Sequence, residues 1–120
     1  MSPESIIRFV SEIQESFPAC LRTEDAGRTL IRLQNVSFPA GCAPAATEAL
    51  AVLEPGQPKP RLLVKHKPKT PRGMVPRNVN AEAIGGESWF SFSYNIAWDE
   101  ARHTAQQFVE GAMGRFAKDE

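Results

Sequence analysis

The hydrophobic and polar positions divide the chain into a helix, a run of strands and a second helix. In "SPESIIRFVSEIQESFP" the apolar residues Ile6, Val10, Ile13 and Phe17 recur at helical spacing, with Phe9 beside them. Ser2 supplies an N-cap oxygen, and Pro3 fits the first helical position, where its missing N–H has no partner to lose. Pro18 ends the helix. The period then changes. In "RTLIRLQNV", Ile31 and Leu33 alternate with Arg32 and Gln34, the pattern of a half-buried strand. "FPAGCAPAA" interrupts it, "TEALAVLEPG" reads as a second strand closed by a turn, and "RLLVKHK" as a third. "SWFSFSY" reads as a fourth, with Phe90, Phe92 and Tyr94 on one side and Ser91 and Ser93 on the other. Asp99 is placed as the cap of a last helix striped by Ala101, Ala105, Phe108, Ala112 and Phe116.

The expectation is one α+β domain over residues 1–120. It is a four-stranded antiparallel meander with an N-terminal and a C-terminal helix, the helices covering one face of the sheet and the other face polar. Residues 67–88 read as a loop, too long for a mere connector.

Composition narrows the function classes. The formal net charge is zero, so no global field favours nucleic acid or a membrane surface. No apolar run reaches the roughly 18 residues a spanning helix needs, and Met1 leads directly into a polar helix signal. A cytoplasmic protein with reduced thiols is expected. The spacing of Cys20 and Cys42 matches no zinc pattern, and neither a metal nor a cofactor is expected.

Two features depart from an ordinary domain. Eight of the 10 prolines fall between Pro39 and Pro76, which stiffens that part of the chain. Seven of the 14 basic residues (Lys59, Arg61, Lys65, Lys67, Lys69, Arg72 and Arg77) lie between Glu54 and Glu82 with no acidic residue among them. Lys65, Lys67, Lys69, Arg72 and Arg77 are the candidate binding residues. Their natural partner is an acidic protein surface. Nucleic acid is disfavoured because no aromatic interleaves the segment to stack on bases. A solvated loop is the plain alternative.

Chemistry is sparse. Cys42 is a loop thiol with no adjacent cation to lower its pKa, so an inert small residue is the simpler reading. His66 is placed on a strand and His103 in the first turn of the last helix, where the helix dipole disfavours a cation. No Ser-His-Asp or paired-carboxylate spacing stands out, and "GG" at 85–86 precedes a strand rather than a helix.

The order of several motifs nevertheless resembles the ubiquitin-conjugating (UBC-like) fold, in its divergent bacterial branch. "PGQPKPRLLV", with Pro58 and Pro60, resembles the proline-rich turn before a UBC strand. "VPRN" supplies Asn78 where the family has a His-Pro-Asn motif, although Pro76 and Arg77 depart from its His and Pro. Gly85, Ser88 and Trp98 resemble the family's Gly, catalytic Cys and the Trp that opens the next helix. The resemblance implies a ubiquitin-like modifier or its activating enzyme as partner, with Ser88, Asn78 and Cys42 as candidate catalytic residues. A serine hydroxyl needs a general base at hydrogen-bond distance, which a cysteine thiolate does not. Three readings follow: a UBC-like binding or scaffold variant without thioester transfer; an active enzyme carrying the modifier on Ser88 as an oxyester or on Cys42 as a thioester, with Asn78 binding the oxyanion; or an unrelated α+β binding module with a basic loop.

Overall fold

A computed structural model describes residues 1–92, 94, 98–99 and 101–117. The first helix, α1 (Pro3–Ser16), starts where the sequence places it: Ser2 Oγ accepts the Ser5 N–H at 3.1 Å. Its buried stripe is Ile6, Phe9, Val10 and Ile13. The strands are β1 (Leu21–Asp25), β2 (Arg28–Ser37), β3 (Ala46–Leu53), β4 (Arg61–Val64), β5 (Val79–Ile84) and β6 (Glu87–Phe92). Helix α2 (Ala105–Met113) and a short 3-10 turn (Gly114–Ala117) follow.

The sheet therefore has six antiparallel strands rather than four, in the order β1-β2-β3-β4-β6-β5. The two additional strands are its edges. β1 is polar and mostly exposed, and β5 lies inside the segment read as a loop, so neither has the apolar alternation that marks a half-buried strand. Each is joined to its neighbour by a two-residue turn with both central φ angles positive: Ala26–Gly27 at 51° and 79°, and Gly85–Gly86 at 60° and 81°. Turns of that kind match the right-handed twist of the strands they join. A bulge in β2 between Leu33 and Val36, with Asn35 at φ 55°, leaves Gln34 and Asn35 exposed and returns Val36 to the core.

Both helices pack on one sheet face, against Ile31, Leu33, Ala49, Ala51, Leu53, Leu62, Val64 and Phe92. Phe92 and Tyr94 join this core, as the alternation requires; the placement of Ser93 lies outside the described residues. Thr104, not Asp99, caps α2: its Oγ1 accepts the Gln107 N–H while Gln107 Oε1 accepts the Thr104 N–H. Asp99 instead closes the preceding turn, its Oδ1 accepting the Ala101 N–H. His103 sits in that turn, ahead of the helix, and its Nδ1 accepts the Asp99 N–H. Ala101 is exposed and lies outside the helix stripe.

The opposite face is not simply polar. Leu30, Leu50, Val52, Leu63, Ile84 and Trp89 form a second buried cluster that, among the described residues, includes none from a helix. The sheet curls to cover them. Two strands lie between β2 and β6, which in a flat sheet sets them about 14 Å apart. Yet a Cβ built at Gly85 meets Leu30 Cδ1 at 3.7 Å. Trp89 is 1% exposed as a result.

Candidate functional site

The residues that the sequence nominates fall into separate places. Ser88 is exposed on β6, opposite Ala83. Asn78 is exposed immediately before β5, at φ 57°. Val79 pairs with Phe92, so four β6 residues separate Asn78's end of the hairpin from Ser88. At ~3.3 Å per residue that is about 13 Å, beyond the reach of an Asn side chain that must bind an oxyanion at Ser88. Among the described residues no histidine or carboxylate lies within hydrogen-bond distance of the Ser88 hydroxyl. Glu87, its neighbour, points to the other face and is held there by Arg32.

Cys42 is buried, 7% exposed, and its Sγ–H donates to the Phe116 carbonyl at 3.4 Å. Its loop lies against the basic segment: the Ala43 N–H donates to Lys69 O at 3.2 Å, and the Lys69 N–H to Ala43 O at 2.8 Å. Gly41 at φ 91° is held close by Pro71, whose Cβ would stand 3.0 Å from a Cβ built there. Sequence gives no hint of this contact, because the two segments lie far apart along the chain.

The basic segment is a built loop. Thr70, 1% exposed, anchors it: its N–H donates to Met74 O at 2.9 Å, its carbonyl accepts from Gly73 N–H at 2.8 Å, and its Oγ1 accepts from Met74 N–H at 3.2 Å. Pro68 and Pro76 are buried, and Arg115 Nη2 donates to the Arg77 carbonyl at 2.6 Å. The loop presents Met74 and Val75, 55% and 59% exposed, beside exposed Lys67, Lys69, Arg72 and Arg77. Lys65 does not join this surface. It turns to the curled face, where its Nζ lies 4.7 Å from the Trp89 ring centroid and 3.6 Å from Glu87 Oε1.

That curled face holds the charge cluster that sequence reasoning missed. Arg32 Nε donates to Glu48 Oε2 at 2.6 Å, and its two terminal nitrogens donate to Glu87 at 2.8 and 3.1 Å. The guanidinium also stands 5.2 Å from the Trp89 centroid. Hydrogen bonds to Glu48 and then Glu87 hold Arg32 above its usual range. The bond from Arg32 holds the Glu87 carboxyl below its own. Farther along, Arg61 donates twice to Glu82, at 3.0 and 2.8 Å, and lowers that carboxyl in the same way. A cavity of about 220 Å³ opens here, lined by Leu21, Leu30, Leu50, Ile84 and Trp89 with Arg32 and Glu87 at its rim. The signal available in the sequence was Arg32 within an apolar strand and a Trp-Phe pair on opposite faces of one strand.

Among the described residues no three His, Cys, Asp or Glu side chains gather as a metal site, and no helix is long and apolar enough to cross a membrane. Comparison with family models, with curated proteins and with solved structures returned no match.

Proposed function

We propose that this chain is a UBC-like component of a bacterial ubiquitin-like conjugation system that binds its partners without carrying the modifier as a thioester. The motif order from Pro58 through Asn78 and Ser88 to Trp98 supports the family reading, as does a helix, an antiparallel sheet and a helix in that sequence. The observation that carries the non-transferring reading is the state of the two candidate nucleophiles. Cys42 is buried, with its thiol donating to a backbone carbonyl. Ser88 has no base among the described residues within reach, and an unassisted serine hydroxyl is a poor nucleophile.

The test is a charging assay. The protein is incubated with ATP, a bacterial ubiquitin-like protein and the enzyme that activates it, then resolved on gels with and without reductant or mild hydroxide. The expected result is no adduct, together with co-elution with one of the two partners that weakens as salt rises. A reductant-sensitive adduct lost in Cys42→Ser, or a hydroxide-labile one lost in Ser88→Ala, overturns the non-transferring reading in favour of an active enzyme. Absence of both adduct and co-elution overturns the family reading and leaves an unrelated α+β module.

A further inference from the structure

β5 is an edge strand that carries no lysine, proline or bulge. Natural sheet edges are blunted by lysine, proline, bulges, short strands or inward-pointing charge. The other edge, β1, carries Arg22, Glu24 and Asp25 in five residues. β5 reads Val-Asn-Ala-Glu-Ala-Ile, and its one charge, Glu82, is turned inward to Arg61. Ala81 and Ala83 are exposed and too small to obstruct an incoming chain.

The register says which backbone groups are open. Ile84 and Glu87 flank a two-residue turn, so they form a hydrogen-bonded pair. Pairs alternate from there. Glu82 and Asn80 exchange bonds with β6, whereas Ala83, Ala81 and Val79 point their N–H and C=O groups away from it. Among the described strands nothing pairs with that outer side.

The chain entering β5 gives the edge a charge. Met74, Val75 and Arg77 lead directly into it, on a loop fixed by Thr70, Gly73 and the Arg115–Arg77 hydrogen bond. Lys67, Lys69 and Arg77 are exposed, and no carboxylate among the described residues lies within ion-pair distance of them. The carboxylates nearest the strand, Glu82 and Glu87, already hold Arg61 and Arg32.

We propose that β5 accepts an extended acidic segment of a partner protein as a seventh strand. Main-chain bonds form at Val79, Ala81 and Ala83, and carboxylates of the segment meet the basic loop at the strand's N-terminal end. Strand addition draws its affinity from main-chain hydrogen bonds and its selectivity from flanking side chains, which here means charge. A rigid loop adds to this because little ordering cost remains on binding. A second copy of this chain fits less well, since it brings the same basic loop instead of carboxylates. The inference stands independently of the UBC-like reading.

The test uses backbone amide exchange by NMR on the whole chain. The probe is an acetylated, amidated octapeptide of alternating Glu and Val; its Lys-Val counterpart is the control. With the acidic peptide bound, the Ala81 and Ala83 amides are expected to become protected, while those of Asn80 and Glu82 stay as they were. The acidic peptide should bind about tenfold tighter than the basic one, equivalent to about 1.4 kcal/mol. Ala81→Pro removes only an outward N–H, so it should weaken binding about tenfold with the far-ultraviolet spectrum unchanged. If that variant does not fold, the exchange pattern of the unmodified chain decides. Equal affinity for the two peptides, protection elsewhere, or no binding overturns the proposal. So does a concentration-dependent dimer that Ala81→Pro dissociates, and so do vesicles of 30% phosphatidylserine binding the loop while the acidic peptide does not.

Discussion

Phe108 offers the sharpest test of how the helices are held on the sheet. It lies on the buried face of α2 and is 1% exposed. Its ring meets three others edge-on: Phe9 of α1 at 5.9 Å between centroids, Tyr94 at 5.9 Å and Trp98 at 6.2 Å. Those separations lie within the favourable range for aromatic pairs, each worth about 0.5–1.5 kcal/mol beyond burial. Phe→Ala in a closed core costs about 3–5 kcal/mol. With partners on three sides, the cavity left at Phe108 has little room to collapse, so Phe108→Ala should lie near the top of that range, about 4 kcal/mol. At about 2.1 cal/mol/K of unfolding entropy per residue, a chain of this length should lose roughly 16 °C in Tm. In urea, with a slope near 2 kcal/mol/M, the midpoint should fall by about 2 M. The assay is urea unfolding followed by tryptophan fluorescence. Trp98 reports the helix face and Trp89 the curled face, so the two reporters should move together if unfolding is cooperative. Phe108→Leu keeps most of the volume and should cost less than about 1.5 kcal/mol. A loss below about 1 kcal/mol for Phe108→Ala would refute the packing argued here, because it would mean that the ring lies outside the core.

Other expectations follow from single contacts. Thr104→Ala removes the acceptor for the Gln107 N–H and should cost about 1 kcal/mol in a thermal melt, with Thr104→Ser restoring most of it. Gly41→Ala meets a positive φ of 91° and the Pro71 Cβ at 3.0 Å; it should destabilise by more than about 1 kcal/mol, and the amides of Lys69 and Ala43 should exchange faster. Glu82 and Glu87 are held below the ordinary carboxylate range by Arg61 and Arg32. Their folded pKa values are depressed, so this stabilisation is complete above the unfolded value of about 4.3 and is lost as pH falls through the lower folded values. Stability measured in urea should therefore drop in acid, and Arg61→Met should shrink the drop by removing the share due to Glu82.

The first helix, its Ser2 cap and the positions of the four inner strands were all legible in the sequence. The helix has a buried side whose period of 3.6 survives in Ile6, Phe9, Val10 and Ile13, and β2 one whose period of 2 survives in Ile31 and Leu33, whereas β3 and β4 are buried on both faces and show as short apolar runs. The basic segment was legible as charge. Tertiary structure decided the rest. β1 and β5 are edge strands with little buried surface, so no periodic signal marks them, and they exist because β2 and β6 offer open ladders. Arg32 looked like the polar half of an alternating strand. Only the curl of the sheet brings Glu87, Lys65 and Trp89 around it. Cys42 reads in the sequence as a loop thiol, and only the fold shows it buried against the Phe116 carbonyl. The resemblance joins Ser88 and Asn78 in one site, but the β5–β6 hairpin sets the pair near opposite ends. Sequence order fixes which backbone period each stretch adopts, because that depends on neighbours along the chain. Which side chains meet depends on register and curvature, and these are set by strands and loops far away in sequence.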